Sequence, residues 1–494
     1  MSRRTDGSPQ RGADRSRRSR VLPGGHRAGL VLALLVLAGC TNLAPRHERP
    51  ASPLPAGWGD GTAGELAAAG VPALHWRNFV ADARLRRVIE RTLQSNRDLR
   101  IAALNIERAR ALYGIQQAAE QPAIGAAGSA LRQRIGADTS SSGQARSTTT
   151  LSAQLALASY EIDFFGRVRN LSEAALQSFL ATESSRRATQ IALVADTANA
   201  WLALAADTQR LELARQTLKA REDAYALTRR AYELGGQSGL TLLQSQTAVD
   251  TARADVGAFE AQRRLSRNAL ELLAGGPLPP DALPDGGETV ATALIEVPAG
   301  LPSEVLAQRP DVIAAEHQLR GAQASIGAAR AAFFPRISLT AAAGLASTSL
   351  SGLFDGGAAG WSFAPSISLP IFDGGSARAN LRAAEVQRDI QIAGYEKTLQ
   401  TAFREVADAL AQRSTLGERL AAQQSLVEAS RRSLALSQAR FRSGADSYLE
   451  VLDAQRSLYA AQQALISLRQ LEQVNRLVLY KALGGGWQPA DREG

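Results

Sequence analysis

The stretch Phe441-Arg-Ser-Gly-Ala-Asp-Ser-Tyr-Leu-Glu-Val-Leu-Asp-Ala-Gln-Arg-Ser-Leu458 reads as the end of one helix, a tight turn and the start of the next. A glycine can take the left-handed conformation that closes a helix. A serine two or three residues later can accept hydrogen bonds from the free N–H groups of the helix that follows. The same corner occurs earlier in the chain. Tyr232, Gly235, Ser238, Leu240, Leu243 and Gln246 recur, 209 residues on, as Phe441, Gly444, Ser447, Leu449, Leu452 and Gln455. Gly275-Gly276 answers Gly484-Gly485 at the same offset. Upstream the offset becomes 213, and Asp98, Ala102, Ala109, Pro122 and Ile124 answer Asp311, Ala315, Ala322, Pro335 and Ile337. A period of this size is too long for a solenoid repeat and marks the duplication of a whole domain.

The segments around the two corners are helical over unusual lengths. From about 166 to 234, apolar residues including Val168, Leu171, Phe179, Ile191, Val194, Trp201, Leu211, Leu218 and Leu227 recur at helical spacing without a proline. Such a helix would extend on the order of 100 Å at about 1.5 Å per residue. Its counterpart runs from about Ser376 to Phe441, and return helices are expected over 240–273 and 449–483. Shorter helices are expected over 97–121 and 310–334, each halted by a proline, Pro122 or Pro335. Lengths of this kind point to coiled-coil packing.

After each proline the period changes from helix to strand. Trp361, Phe363, Pro365, Ile367, Leu369 and Ile371 alternate with Ser362, Ala364, Ser366, Ser368 and Pro370. Ile337, Leu339, Ala341, Ala343 and Leu345 alternate with polar or small residues, as do Leu151, Ala153, Leu155 and Leu157; the segment 124–131 is a weaker match. Each pair of strands brackets a Ser/Gly-rich loop, near 135–147 and 347–360. Strands of about ten residues with one apolar face suit a transmembrane β-barrel, although one strand alone would also fit a soluble hairpin with a single buried face. Four strands are too few to close a barrel of about eight or more, so closure requires further copies of the chain.

The first 39 residues have the form of an export signal. Arg27 precedes an apolar run from Ala28 to Ala38, which ends in Leu37-Ala38-Gly39-Cys40. That run is too short to span a bilayer but suits a signal peptide. The ending resembles a lipobox, and Cys40, the sole cysteine, is then the lipidation site. Thr41 follows in place of an aspartate that would signal inner-membrane retention. Pro45, Pro50, Pro53 and Pro55 suggest a stiff, extended tether, with ordered structure beginning near Trp76. The net charge of +9 does not indicate nucleic acid, because eight arginines against two aspartates in residues 1–39 supply +6 of it. The four histidines (His26, His47, His75, His317) are scattered, and no nucleophile elbow or Walker loop is present. Neither an enzyme nor a cofactor other than a covalent lipid on Cys40 is expected.

Taken together, the corner block, Tyr480-Lys-Ala-Leu-Gly-Gly-Gly-Trp487, Asn96-Arg-Asp-Leu-Arg100 and the Leu-Ala-Gly-Cys start resemble the outer-membrane factor (TolC/OprM-like) family of tripartite efflux systems, in its lipoprotein (NodT-type) branch. The similarity covers essentially residues 76–487. It implies a mixed α/β membrane protein, with duplicated helical hairpins forming an α-barrel and four strands per chain in a trimeric 12-stranded outer-membrane β-barrel. It further implies passive conduction of substrates delivered by an inner-membrane pump and a periplasmic adaptor. Under the resemblance, Tyr232, Gly235, Ser238, Leu240, Leu243, Phe441, Gly444, Ser447, Leu449 and Leu452 form the periplasmic tips that dock the adaptor, and Asp446 is a candidate gate residue. Asp446 is open to a second reading, as a carboxylate favoured at a helix N-terminus. The first corner, Gly235-Gly-Gln-Ser-Gly239, lacks an acid, so the two docking grooves are expected to differ. The expected organisation is a signal peptide (1–39), a lipid-anchored tether (40–75), a first repeat (76–275, strands about 123–133 and 148–164), a connector (276–302), a second repeat (303–487, strands about 336–346 and 361–372) and a tail (488–494). The competing readings are a periplasmic adaptor, which would carry one hairpin and a compact β-domain, and a structural coiled-coil envelope lipoprotein, which would need no strand pairs.

Overall fold

The computed structural model describes residues 42–55, 58, 75–285, 293–295 and 303–485. Cys40 and the signal segment lie outside the described residues. Helices α1 (Trp76–Phe79), α2 (Ala83–Ser95) and α3 (Arg97–Ala118) lead into strands β1 (Ile124–Ile135) and β2 (Arg146–Glu161). The long helix α4 (Arg167–Glu233) and its return α5 (Gly239–Leu273) follow. The second half repeats the order with α6 (Pro310–Ala331), β3 (Arg336–Ser347), β4 (Ala359–Ser368), α7 (Ser376–Arg442) and α8 (Tyr448–Ala482).

The long helices of the two halves are equal, 67 residues each, as are the return helices at 35. The same physical signals set their ends. Gly166 and Gly375 take left-handed φ values of 74° and 91° just before α4 and α7. Asp163 accepts from the backbone N–H groups of Arg167 and Arg169, and Asp373 from those of Gly375 and Ala377. The change of offset from 213 to 209 is confined to the strands and their loops, where β2 has 16 residues and β4 only 10.

The strands form one antiparallel sheet in the order β1-β2-β3-β4. Register decides what alternation alone left open. Ile124 faces Leu157, Leu157 faces Ala341, and Ala341 faces Phe363. One row up, Ala126, Leu155, Ala343 and Trp361 align in the same way. Directly opposed residues share a face of a sheet, so the apolar sets of all four strands lie on one side. Ser152, Gln154, Thr340, Ser362 and Ser366 occupy the other. An extra residue between Leu157 and Tyr160, with Ser159 at φ 50°, bulges β2 and keeps Tyr160 on the apolar side. β4 ends at Ser368, short of the expected 372, because the next two residues are Leu369 and Pro370 and proline has no N–H for a ladder. Strands β1 and β4 each leave one edge unpaired within the chain.

All four strands join the helices at one end of the sheet, and the loops between β1 and β2 and between β3 and β4 lie at the other. The main core sits at a waist in the helical body, where α1, α2, the middle of α4, the end of α5, the middle of α7 and the end of α8 converge. Trp201 is fully buried there and donates through Nε1 to the carbonyl of Ala282 at 3.2 Å; Phe79 stacks on Tyr480 at 4.2 Å. Arg309, also buried, donates to the carbonyl of Ala482, to Glu405 and to Asp311, and so joins α6 to α7 and α8.

The proline-rich segment expected to precede the ordered part of the chain is docked. Asn42 lies beside Gly166 at the sheet end of α4, and the backbone of Ala44 passes so close to Gly327 that a β-carbon there would approach it to 2.8 Å. Arg330 donates to the carbonyl of Leu43, and Ser303 to that of Pro55. Trp58 stacks on Phe403 at 4.7 Å. The segment therefore runs as a strap from the sheet to the waist. Its centre is Glu316 of α6, which accepts from Arg49 and Arg320, each at 2.6 Å, with His47 Nε2 at 3.4 Å. Burial pushes the Glu316 carboxyl up, but the hydrogen bond from Arg49 and the charges of Arg320 and Arg49 outweigh it and hold the group below its ordinary value.

A carboxylate with a lowered folded value contributes stability that is complete above its unfolded value and fades as pH falls through the folded one. Protection of the amides of residues 43–49 against hydrogen exchange, taken relative to the intrinsic rate at each pH, should therefore be high at neutral pH and fall well below pH 4.5, the ordinary value of this group. Glu316→Gln should lose that protection already at pH 7, be cut faster there by trypsin after Arg46, and lower stability by about 1 kcal/mol, since its partners are half-exposed. Equal cleavage rates in the two proteins at pH 7 would exclude this account of the strap.

Candidate functional site: the two interhelical corners

At both corners the helix ends in the same hydrogen-bond pattern. Gly236 N–H donates to the carbonyl of Ala231 at 2.7 Å and Gly235 N–H to that of Tyr232 at 2.9 Å. Ala445 and Gly444 repeat these bonds to Arg440 and Phe441 at 2.9 and 3.0 Å. Gly235 and Gly444 have φ of 77° and 78°, the left-handed residue that this Schellman closure requires.

Beyond that, the corners diverge. Ser238 caps α5 as its position suggests, its hydroxyl accepting from Thr241 N–H at 3.1 Å. Ser447 has the backbone of an N-cap, φ −75° and ψ 157°, but its side chain caps nothing, contrary to expectation. Asp446 does not replace it at the helix N-terminus. Its two oxygens accept from Arg440 Nε at 2.6 Å and from a terminal nitrogen of Arg440 at 2.8 Å. This fork clamps the last turn of α7 to the first residues beyond the glycine, a bidentate geometry that the guanidinium plane favours. The hydrogen bond from Arg440 lowers the Asp446 carboxyl below its usual range. The repeat places Gln237 and Ala231 where Asp446 and Arg440 stand, so the first corner cannot form the pair. Arg440, in the last turn of its helix where cations are favoured, was the signal available for it.

Packing separates the corners as well. Tyr448, Val451 and Leu452 are buried in a small cluster with Phe441, Leu434 and Ala248 of the first hairpin, and the rings of Phe441 and Tyr448 are 5.2 Å apart. Arg221, buried in α4, donates to the carbonyl of Ala248, and its guanidinium lies 5.8 Å from the Tyr459 ring. Burial raises the Tyr448 hydroxyl, with the Thr228 hydroxyl as its hydrogen-bond partner. None of Arg221, Thr228 or Tyr448 stood out in the sequence, because they become neighbours only when the two hairpins pack. At the first corner, by contrast, Leu234, Leu240 and Leu243 are 88%, 68% and 62% exposed, and Tyr232 and Leu227 are exposed too. Leu449 at the second corner is half-exposed. The expected site residues thus fall into a packed group (Phe441, Leu452) and an outward apolar group (Tyr232, Leu240, Leu243, Leu449).

Among the described residues, no cluster of three or more His, Cys, Asp or Glu could hold a metal ion. No described helix is long and apolar enough to cross a membrane. Two equivalent hairpins, each with its own strand pair, also differ from the single hairpin of an adaptor and from a simple rod.

An unstrained β-carbon on Gly444 would meet nothing within 4 Å, so only the backbone conformation resists substitution there. Gly444→Val should destabilise the corner by about 1–2 kcal/mol, and Gly444→Asn by much less, since asparagine tolerates the left-handed region. Hydrogen exchange of the amides of 440–450 should report the difference, and equal protection in the two variants would exclude it.

Comparison with known proteins gives a consistent result. The family model for outer membrane efflux proteins matches residues 88–276 and 301–485. The probable efflux pump outer membrane protein TtgC of Pseudomonas putida is 47% identical over 461 residues, covering 93% of this chain and 95% of its own length. A membrane protein of Pseudomonas aeruginosa, known from its crystal structure, superposes with a TM-score of 0.85 at 43% identity, over 90% of this chain and 98% of the other. The open state of the MtrE outer membrane channel of Neisseria gonorrhoeae gives 0.81 at 37% identity, over 90% and 98%.

Proposed function

The chain belongs to the outer membrane efflux protein family, and from that premise we propose that three copies join to form one continuous conduit with a lipid anchor on each copy. The protein is the outer-membrane channel of an efflux system and not an enzyme. The observation that carries closure by further copies is the pair of unpaired strand edges. In hydrocarbon an unpaired N–H or C=O costs several kcal/mol, so an open sheet cannot remain in a bilayer. β1 and β4 run in opposite directions in this four-stranded meander. Pairing β4 of one copy with β1 of the next therefore continues the antiparallel alternation without an irregular seam, and three copies give the twelve strands of the proposed barrel. The apolar face then meets lipid, and the face with Ser152, Gln154, Thr340 and Ser366 lines a wetted lumen.

The helices prolong the conduit into the periplasm, and the two corners form its inner end. The exposed leucines of the first corner, with Leu449 of the second, supply an apolar rim that neighbouring copies and a periplasmic adaptor would cover; an inner-membrane pump would deliver substrate there. Conduction is passive. Asp446, clamped by Arg440, is the proposed restraint of the closed end, and adaptor binding would favour the open end by its differential contact with it. Cys40 is the proposed site of lipid attachment. Only Thr41 separates it from Asn42, which lies beside Gly166 where sheet meets helix, so a lipid there would enter the leaflet nearest the helical body.

Planar-bilayer recording of the detergent-solubilised protein tests the reading: a heat-labile trimer with steady conductance is expected, and a non-conducting monomer would refute it. Asp446→Ala should raise resting conductance severalfold if the clamp restrains the closed end; unaltered conductance would leave the pair a local brace. Cys40→Ser should abolish incorporation of radiolabelled palmitate while leaving conductance intact, and label still entering that variant would dismiss the lipid assignment.

A further inference from the structure

We propose that Arg132 and Arg134 form an outward-facing site for the phosphate groups of a lipid in the outer leaflet. The argument starts from register. On β1 the residues of the apolar side are Ile124, Ala126, Gly128 and Ala130, and the same parity continues to Arg132 and Arg134. Two guanidinium groups therefore stand on the face that meets lipid, immediately beyond the last apolar row, in which Ala130 faces Leu151. Their cross-strand neighbours on that face are Thr149 and Ser147. The surface alternates cation and hydroxyl over two rows about 7 Å apart.

The height of this patch is fixed by the connections. Every strand meets the helical body at the opposite end of the sheet, so Arg132 and Arg134 lie at the end that carries the β1–β2 loop, away from the periplasm. A charge on the lipid face is costly near the bilayer middle but not at its border, where it can meet the headgroups. Among the described residues neither guanidinium has a carboxylate partner. Arg167 and Arg336, at the periplasmic end, are both tied to Glu161. The two ends of the sheet thus differ: the inner cations are neutralised within the chain, and the outer pair is left for an anion from outside it. Paired guanidinium groups with adjacent hydroxyls suit a phosphate monoester, which offers several acceptor oxygens and about two charges.

The inference rests on the reading that the apolar face of the sheet meets lipid. Native mass spectrometry of the detergent-solubilised full-length protein would compare a bis-phosphorylated lipid A with the same lipid stripped of its phosphates. The wild-type protein should retain the phosphorylated form about tenfold more tightly, the difference that two lost charge-assisted contacts would bring. Arg132→Gln with Arg134→Gln should remove the preference, and Arg132→Lys with Arg134→Lys should keep most of it. Equal retention of both lipids by the wild-type protein, or a preference that survives in the glutamine variant, would overturn the site. Conductance recorded on the same preparations separates the two levels. Conducting preparations without the preference overturn the lipid site alone; non-conducting ones overturn the lipid-facing sheet and the site together.

Discussion

Every polar group of a backbone placed in hydrocarbon must find a partner within the protein, and this requirement governs the molecule more than any single side chain. A sheet of four strands satisfies its inner ladders and leaves two edges open. The chain therefore contains an unmet demand at its most hydrophobic end, and only another chain can meet it. The helical body has the same character in milder form. Its core is concentrated at the waist, where helices of both halves and the strap converge. Toward the corners the long helices bury less, and large apolar side chains such as Leu227, Leu234 and Leu243 stand exposed on one chain.

Duplication supplies the symmetry, and divergence within it supplies the differences that a working device needs. Helices of identical length in the two halves act as equal staves. The strands absorb the four-residue mismatch, and the bulge at Ser159 keeps the apolar face continuous despite it. At the corners the divergence is chemical. One copy closes with a capped, uncharged turn and an outward apolar surface. The other buries its tyrosine and leucine against its sister hairpin and ties its turn with an ion pair.

The fold was largely legible because the signals that end its helices are local. The glycines at 166, 235, 375 and 444 and the prolines at 122 and 335 bracket helices to within a few residues of their observed ends. Strand alternation was equally plain in β4, where Trp361, Phe363 and Ile367 are large. It was faint in β1, where Gly125, Ala126, Ala127 and Gly128 carry almost no contrast, and only pairing with β2 assigns its faces. The corner glycines could be read for the same local reason. The Arg440–Asp446 fork left only a partial signal, the cation in the last turn of its helix, because its partner lies six positions on, beyond the turn. The docked strap was the largest omission. Proline content reports stiffness, whereas docking depends on Glu316 and Gln323, each more than 260 residues away in the chain.

That strap has a geometric consequence. Seventeen residues in extended form span at most about 60 Å, and here the described ones among residues 42–58 are laid along the helices from the sheet to Trp58 at the waist. A slack leash would let the body turn or lean beneath the bilayer. A strap fastened along its length acts as a gauge: with the proposed lipid on Cys40, it would fix where around the cylinder each anchoring point emerges and how deep the body hangs. Three such gauges, spaced evenly around one axis, would hold the cylinder upright as the legs of a tripod do, because any lean would lift one anchor and press another.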